Sequence, residues 1–255
     1  MAKYSGFLVA SGDLALAASE MAGMKTVVLW SPLFSGSALA ESMKQKTIGI
    51  FPSDRVTTIE QLESIYGAPN PNSLGKEIEH ISDHYRAFIE KAPFVTVATC
   101  GPEGLDCSPR GDPPGFVRVV DEKTVMIPDR RVNNRIDSMR NLVRDPRISL
   151  LFLIPGVNET LRINGRAEIV VDPELCASFE MQGKLPRTVL VVTVDRIYFQ
   201  CQKALVRSRL WEVEAQLPRS ELPSTGKILE ALSKGGFDGA EYDRSYPDNL
   251  KKTIY

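Results

Sequence analysis

Arginines are concentrated in one stretch of the sequence, and their spacing suits an anion-binding site. From Asp129 to Arg147 the chain carries six arginines against three aspartates. The stretch opens with IPDRRVNNR, where the end of an expected strand runs into the start of an expected helix. Backbone N–H groups at a helix start favour anions, and a guanidinium can bind a phosphate with two hydrogen bonds. The spacing therefore predicts a phosphate site, and the alternative is a solvated basic helix face.

Two further segments carry basic residues beside expected strands. SPRGD, at 108–112, is bounded by Gly and Pro and is expected to be a tight turn that leads Arg110 into the next strand. CQKALVRSRLW, at 201–211, follows the last long strand and holds three basic residues and no acid. Either segment alone is weak evidence because basic residues are common near strand ends. Together with the arginine-rich stretch they favour an anionic ligand.

Other groups with chemical potential give weaker signals. HISDH is expected to place His80 and His84 on one helix face, a spacing that can chelate a metal. The sequence suggests no third ligand, so surface histidines are the commoner interpretation and no metal site is predicted. Asp106 and Asp112 flank SPRGD and are expected to cap backbone N–H groups of that turn. No catalytic acid or base is assigned.

Composition excludes several classes of protein. The 255 residues are 43% hydrophobic and 25% charged, with a net charge of −1, which is typical of a soluble globular protein and not of one built to bind nucleic acid. No apolar run reaches the ~20 residues of a membrane span. Four cysteines form no CxxC pair, and Cys100 and Cys201 are expected to be buried, which suits a cytoplasmic protein. A secretory signal remains an alternative only if translation begins at Met24.

The elements that must position these residues change character along the chain. Thr57-Thr58-Ile59-Glu60 predicts a capping box for a helix ending near Gly67, and a second helix is expected from about 74 to 91. Short helices are expected at 134–144, after Asp172-Pro173 and at 226–233. Strand candidates rich in β-branched and aromatic residues lie at 94–100, 116–120, 124–127, 148–154, 159–171 and 188–201, and the fourth is expected to be buried on both faces.

This order predicts a mainly β fold, a six-stranded antiparallel barrel with helical insertions. It lacks the regular alternation of strand and helix that is typical of a dinucleotide-binding sheet. The predicted organisation is a poorly structured N-terminal extension at 1–52, a barrel domain at 53–215 and a C-terminal tail at 216–255 that packs on the barrel or on a partner subunit.

The combined motifs resemble a known family. TVMIPDRRVNNR, DPRISLLFLIPG and LRINGRAEI are similar to segments of the pyridoxamine-5′-phosphate-oxidase-like family of FMN-binding split barrels. SPRGDPPGFVRV and the closing KALVRSRLW resemble one uncharacterised branch of that family. The resemblance runs from about Val56 to Tyr255, and it implies the split-barrel fold, FMN as cofactor and a homodimer with FMN at the interface.

The resemblance also implies which residues hold the cofactor. Arg110, Asn134 and Arg135 correspond to residues that bind the flavin phosphate, and Ile127 and Pro128 to a backbone contact with the flavin ring. Lys203 and Arg209 fall where family members send basic residues to the cofactor, in some cases from the partner subunit. The implied cofactor-binding residues are Ser108, Arg110, Ile127, Pro128, Arg131, Asn134, Arg135, Lys203 and Arg209.

One departure from the family bears on the reaction. The oxidase proper closes with Arg-Leu-His, which holds the substrate phosphate, whereas this chain has Arg209-Leu210-Trp211. The missing histidine argues against pyridoxamine phosphate as the substrate. The first hypothesis is therefore an FMN-dependent oxidoreductase with an unknown small-molecule substrate. The alternatives are a non-enzymatic flavin, haem or deazaflavin binder on the same fold and, less favoured because the arginine-rich stretch lacks interleaved aromatics, a nucleic-acid-binding barrel.

Overall fold

The computed structural model describes residues 25–29, 46–50, 54–131 and 133–255. The chain divides into two compact units, Met1–Pro69 and Asn70–Tyr255. In the first unit, β1 (Lys25–Leu29) pairs antiparallel with β2 (Lys46–Ile50), and α1 (Ile59–Tyr66) follows. Most of the predicted poorly structured extension, including Met24 of the alternative signal sequence, lies outside the described residues. The predicted three-part organisation stays a prediction.

The capping box of α1 lies one residue later than predicted. The hydroxyl of Thr58 accepts a hydrogen bond from the Gln61 amide at 3.2 Å, and the Gln61 side chain accepts from the Thr58 amide at 3.3 Å. Two adjacent threonines make both registers available, and the prediction that paired Thr57 with Glu60 was wrong. The helix stops at Gly67, as predicted, where φ is +69°.

The helix predicted from about 74 to 91 is instead two helices, α2 (Pro71–Gly75) and α3 (Asp83–Lys91). Between them, Ile78 forms an antiparallel bridge with Ile197, with N···O distances of 3.1 and 2.8 Å. Its backbone groups are therefore used by the sheet and are lost to a helix. His80 lies in this irregular segment and only His84 is helical, so the shared helix face was wrong. The described residues contain no group of three side chains that could hold a metal ion.

The second unit is built on one antiparallel sheet. Its strands are β3 (Phe94–Gly101), β4 (Gly104–Gly111), β5 (Arg118–Val119), β6 (Thr124–Pro128), β7 (Arg147–Leu153), β8 (Thr160–Val170) and β9 (Val189–Gln200). The order across the sheet is β4-β3-β7-β8-β9-β6-β5, with β4 and β5 at the two edges. The predicted mainly β fold with helical flanks is confirmed, with seven strands in place of six and an open order.

The additional strand is β4, which contains most of the predicted SPRGD turn. Ser108 pairs with Val97 and Arg110 with Val95, so this segment is extended and the turn prediction was wrong. The reversal of the chain comes earlier, between Gly101 and Gly104, where Gly104 has a φ of +123°. Proline is tolerated in β4 because an edge strand can lose a ladder donor.

The core lies between the inner face of the sheet and two helices, α3 and α4 (Asp137–Arg144). Strand β7 alternates, with Ile148, Leu150 and Phe152 buried and the residues between them half-buried, so the prediction of burial on both faces was wrong. The remaining members of the core include Val95, Val97, Ile127, Met139, Leu142, Leu161, Ile163, Val192 and Ile197. Each fully buried aliphatic side chain contributes roughly 1.5–3 kcal/mol.

The other helices flank the sheet or follow it. They are α5 (Pro173–Ser178), α6 (Lys203–Ser208), α7 (Thr225–Leu232) and α8 (Gly239–Thr253). The predicted helices after Asp172 and near Gly226 are confirmed, whereas α8 was not predicted. Cys100 is only half-buried and Cys201 is exposed, contrary to expectation. Among the described helices, none combines the length and apolar character that a membrane crossing requires.

Candidate functional site

Three segments of the second unit meet at a cavity of about 330 Å³. They are residues 106–110 of β4, Asp129 directly after β6, and the loop that leads into the first turn of α4. The lining residues are Asp106, Ser108, Pro109, Arg110, Asp129, Asn133, Arg135, Ile136, Asp137, Ser138 and Met139. We call this space the arginine cavity. Its volume falls within the range of small-molecule sites, roughly 300–1,000 Å³.

Strand β4 supplies one wall because alternate residues of a strand share a face. Asp106, Ser108 and Arg110 are half-buried, and the residues between them are exposed. The side chain of Arg110 is 17% exposed, and its Nη2 lies 3.8 Å from Asp129 Oδ1. That distance is an ion pair without a hydrogen bond. The hydrogen bond that Arg110 does make runs from Nη1 to the Pro109 carbonyl at 2.9 Å, so most of its N–H groups are available to a ligand.

Asp129 supplies the opposite wall. Burial raises the pKa of its carboxyl above the ordinary value, and the charges of Arg110 and Arg187 only partly offset that effect. The Asp129 carboxyl therefore lies in a partly desolvated position with two arginines nearby. Its backbone N–H is fixed by the Thr188 carbonyl at 2.9 Å, which continues the pairing of β6 with β9 beyond Pro128.

A hydroxyl network joins β4 to α4. The Asp106 carboxylate accepts hydrogen bonds from Ser108 Oγ at 3.0 Å and from Ser138 Oγ at 2.5 Å. Ser138 is buried, so this contact sets the position of the first turn of α4 against the strand. The prediction that Asp106 and Asp112 cap turn N–H groups was wrong. Asp112 accepts from Arg130 Nε at 2.7 Å and from the Tyr255 hydroxyl at 2.6 Å.

The first turn of α4 faces the cavity without a side-chain cap. Asn134 and Ile136 have φ values of +59° and +52°, so the helix begins at Asp137 and the predicted start at Asn134 was wrong. Uncapped N–H groups at a helix start attract anions. Arg135 lies beside them, but its side chain is 76% exposed and its Nε donates to Asp137 Oδ2 at 2.8 Å.

The structure brings together only part of the predicted site. Ser108, Arg110 and Arg135 line the arginine cavity. Outside its lining lie Ile127 and Pro128, buried at the end of β6; Arg131, which is exposed; Asn134, which accepts from Arg187 at 3.1 Å; Lys203, at the start of α6; and Arg209, which donates to Glu212 at 2.6 Å. The role of each of these residues in binding a cofactor stays a prediction.

Eight lining residues lie outside the predicted cofactor-binding set: Asp106, Pro109, Asp129, Asn133, Ile136, Asp137, Ser138 and Met139. Asp129 and Asn133 belong to the IPDRRVNNR motif that predicted the phosphate site. Ser138 is the second residue of α4, and its contact with β4 depended on a helix start that the sequence misplaced by three residues. A serine in the first turn of a helix that has no side-chain cap is the sequence signal that would have indicated Ser138.

The donor set suits a phosphate monoester. Two guanidiniums and the free N–H groups of a helix start are groups that proteins use to hold phosphate oxygens, while the hydroxyls of Ser108 and Ser138 donate to Asp106. Three carboxylates also line the cavity, from Asp106, Asp129 and Asp137. Asp106 accepts from two hydroxyls, Asp137 accepts from Arg135, and Asp129 lies 3.8 Å from Arg110. The residues present therefore fit the phosphate end of FMN.

Comparison with known proteins finds one family model that matches part of the chain. Residues 81–201 match the family model described as pyridoxamine 5′-phosphate oxidase, and this segment is slightly less than half of the chain. No curated protein matches the sequence.

Several solved structures are similar to the chain at low identity. One is HupZ from Group A Streptococcus, with 19% identity, 47% of this chain and 93% of that chain covered, and a TM-score of 0.39. Another is a Clostridium acetobutylicum protein of the pyridoxinephosphate oxidase family related to general stress protein 26, with 15% identity, 46% and 85% covered, and a TM-score of 0.35. A third is an FMN-binding protein from Syntrophomonas wolfei, with 11% identity, 56% and 97% covered, and a TM-score of 0.36.

Proposed function

We propose, because residues 81–201 match the family model of pyridoxamine 5′-phosphate oxidase, that this protein binds FMN and acts as an oxidoreductase on a small molecule. The observation that carries the proposal is the arginine cavity, where the largely buried Arg110 meets the uncapped start of α4. A phosphate there receives hydrogen bonds from two sides.

Each group in the cavity has a distinct role in the proposed complex. Arg110 donates to the phosphate from β4, using N–H groups that neither Pro109 nor Asp129 engages. Ser108 and Ser138 donate their hydroxyl protons to Asp106 and so hold β4 against the first turn of α4. The N–H groups of the first turn of α4 donate from the other side. Arg135 adds charge at the solvent side of the cavity.

The remaining predicted residues belong to the same proposal. Ile127 and Pro128 contact the flavin ring through their backbone, and Arg131 and Asn134 flank the phosphate. Lys203 and Arg209 approach the cofactor from a second subunit of a homodimer. FMN, when bound, supplies hydride and single-electron transfer, so the protein's part is to position it and set its electrostatic surroundings.

The cofactor itself is the first thing to measure. Purified protein should be yellow, and denaturation should release FMN that is identified by chromatography. Protein purified without cofactor should bind added FMN with saturable quenching of flavin fluorescence. A colourless protein that fails to bind FMN would refute the proposal, and a preference for haem or a deazaflavin would correct the identity of the ligand.

A non-enzymatic carrier on the same fold is the second candidate, and one observation favours it. The residues that line the arginine cavity include no histidine, cysteine, tyrosine or lysine, so aspartates are the only candidates there for proton transfer. Reduction of the bound flavin by NAD(P)H, followed by turnover with an electron acceptor, supports the oxidoreductase. A tightly bound flavin that does not turn over supports the carrier.

A further inference from the structure

A second cavity, of about 560 Å³, lies in the same unit and does not share a residue with the arginine cavity. Its walls come from the segment between α2 and α3, from α3 itself, from the residue before β8 and from the end of β9. The lining residues are Gly75, Lys76, Ile78, Ser82, His84, Tyr85, Phe88, Glu159 and Phe199. We call this space the aromatic cavity.

Three aromatic rings and one aliphatic side chain form its apolar surface. Ile78, Tyr85 and Phe88 are partly buried and pack against the hydrophobic core, which restricts their movement. Phe199, near the end of β9, is 37% exposed. The Tyr85 hydroxyl donates to the Lys76 carbonyl at 2.7 Å and so fixes the segment before α3 against that helix. Such a preformed surface suits a planar aromatic ring.

Two opposite charges line the aromatic cavity without pairing. Lys76 and Glu159 are both half-buried, and neither forms an ion pair with the other or with any described residue. The Lys76 ammonium instead lies over the ring of Phe199, 4.6 Å from its centroid. Half-buried charges usually find a partner because their desolvation is unfavourable. A ligand that carries both complementary charges would supply both partners.

We propose that the aromatic cavity binds a small aromatic zwitterion, a ring that carries both a carboxylate and an ammonium group. The ring lies against Phe88 and Phe199, the carboxylate accepts from Lys76, and the ammonium donates to Glu159. Ser82, the N-cap of α3, and His84 stand at the polar rim of the cavity. This site is independent of the proposed FMN site because the two cavities have no residue in common.

Three probe molecules separate the two charges of the ligand. L-Tryptophan carries both charges, indole-3-propionate lacks the ammonium, and tryptamine lacks the carboxylate. In calorimetric titrations of the FMN-saturated protein, we expect L-tryptophan to bind with saturation and each truncated probe to bind at least about tenfold more weakly. Equal affinity for the three probes, or no saturable binding at millimolar concentration, would overturn the proposal without any variant.

Charge variants then assign each group. Lys76→Gln should weaken L-tryptophan about tenfold and leave tryptamine unchanged, whereas Glu159→Gln should weaken L-tryptophan and leave indole-3-propionate unchanged. Phe199→Ala should weaken all three probes. Lys91→Gln, on an exposed position of α3, and Glu168→Gln, on an exposed position of β8, are the matched controls and should change nothing.

One further variant separates this inference from the proposed function. Arg110→Ala should impair FMN binding and leave the affinity for L-tryptophan intact. Loss of both affinities in that variant, with an unchanged melting temperature, would show that the two cavities are one site. If the charge variants alter all probes alike, the zwitterion assignment is wrong.

Discussion

Replacing Arg110 by alanine should weaken FMN binding far more than replacing Arg135. Both residues line the arginine cavity, and the family resemblance assigns both to the phosphate. Their surroundings differ, because the Arg110 side chain is 17% exposed and that of Arg135 is 76% exposed. Arg135 also donates to Asp137, whereas Arg110 makes no hydrogen bond to a carboxylate of any described residue.

The expected magnitudes follow from this difference. A charge-assisted hydrogen bond in a partly desolvated site contributes about 1.5–3 kcal/mol, so Arg110→Ala should raise the Kd for FMN about 10- to 150-fold. An exposed ion pair is screened by water and contributes about 0–1 kcal/mol, so Arg135→Ala should raise it up to about fivefold. Arg110→Ala also leaves Asp129 without its nearest cation. The double variant Arg110→Ala/Asp129→Asn should therefore bind FMN more tightly than Arg110→Ala alone.

Quenching of flavin fluorescence measures these affinities, and thermal melts verify that each variant is folded. Arg144→Ala is the matched control, because Arg144 belongs to the same arginine-rich stretch and pairs with Glu103 outside the cavity. The control should bind FMN as the unmodified protein does. A larger loss of FMN affinity in Arg135→Ala than in Arg110→Ala would refute the assignment of Arg110 as the principal phosphate ligand. Equal losses of affinity in all three arginine variants would show that FMN responds only to the overall positive charge of this stretch.

Further expectations concern stability. The Nε of Arg147 lies 3.0 Å from both carboxylate oxygens of Asp145, and its hydrogen bonds lower the pKa of that carboxyl. The stability that this contact contributes is present above the ordinary pKa of about 4 and is lost as pH falls below it. Asp145→Asn should therefore flatten the pH dependence of urea unfolding in acid. Asp112→Ala leaves the mostly buried Arg130 without its carboxylate and should lower the free energy of unfolding by about 3 kcal/mol, whereas a loss below 1 kcal/mol (roughly that of an exposed pair) would contradict the buried pairing. Gly165→Ala would place a Cβ 2.0 Å from a carbonyl oxygen of β9 at a β-bulge, and a loss of about 1–3 kcal/mol or more should appear in the same unfolding curves.

The long strands were readable from the sequence because their pattern is local. The candidates at 159–171 and 188–201 match β8 and β9 to within a residue at each end, since both segments are long and rich in apolar and β-branched residues. Asp172 before Pro173 likewise predicted the start of α5, where Asp172 Oδ1 accepts from the Leu175 amide at 2.7 Å. These features need only neighbouring residues to form.

The errors arise where a distant partner decides the local structure. Ile78 has helical spacing, but its hydrogen bonds go to Ile197, more than a hundred residues away. Strand β4 forms because its backbone pairs with β3. The short Gly- and Pro-containing sequence of β4 does not itself indicate that pairing. Helix α8 contains Pro247, which would break an isolated helix. It is supported by close packing on α7, where Gly226 N–H donates to Asp243 Oδ1 at 2.8 Å.

The candidate site was predicted in its chemistry more than in its geometry. Clustered arginines indicated an anion, and Arg110 and Arg135 do line one cavity. The acids that accompany them could not be placed, because the contact of Ser138 with Asp106 depends on the left-handed residues that delay the start of α4. Backbone conformations of that kind leave little trace in residue type, since Ile136 is an unusual residue for positive φ.

The position of β4 at the edge of the sheet would link the proposed cofactor binding to self-association of the protein. An edge strand has one neighbour, opens more easily than an inner strand and offers unpaired N–H and C=O groups to another chain. Pro109 interrupts that row of groups, and a phosphate bound by Arg110, as proposed, would stabilise the paired strand by mass action. Under that proposal, the form without cofactor would expose this edge most often and would be the form most prone to pair with other copies of itself.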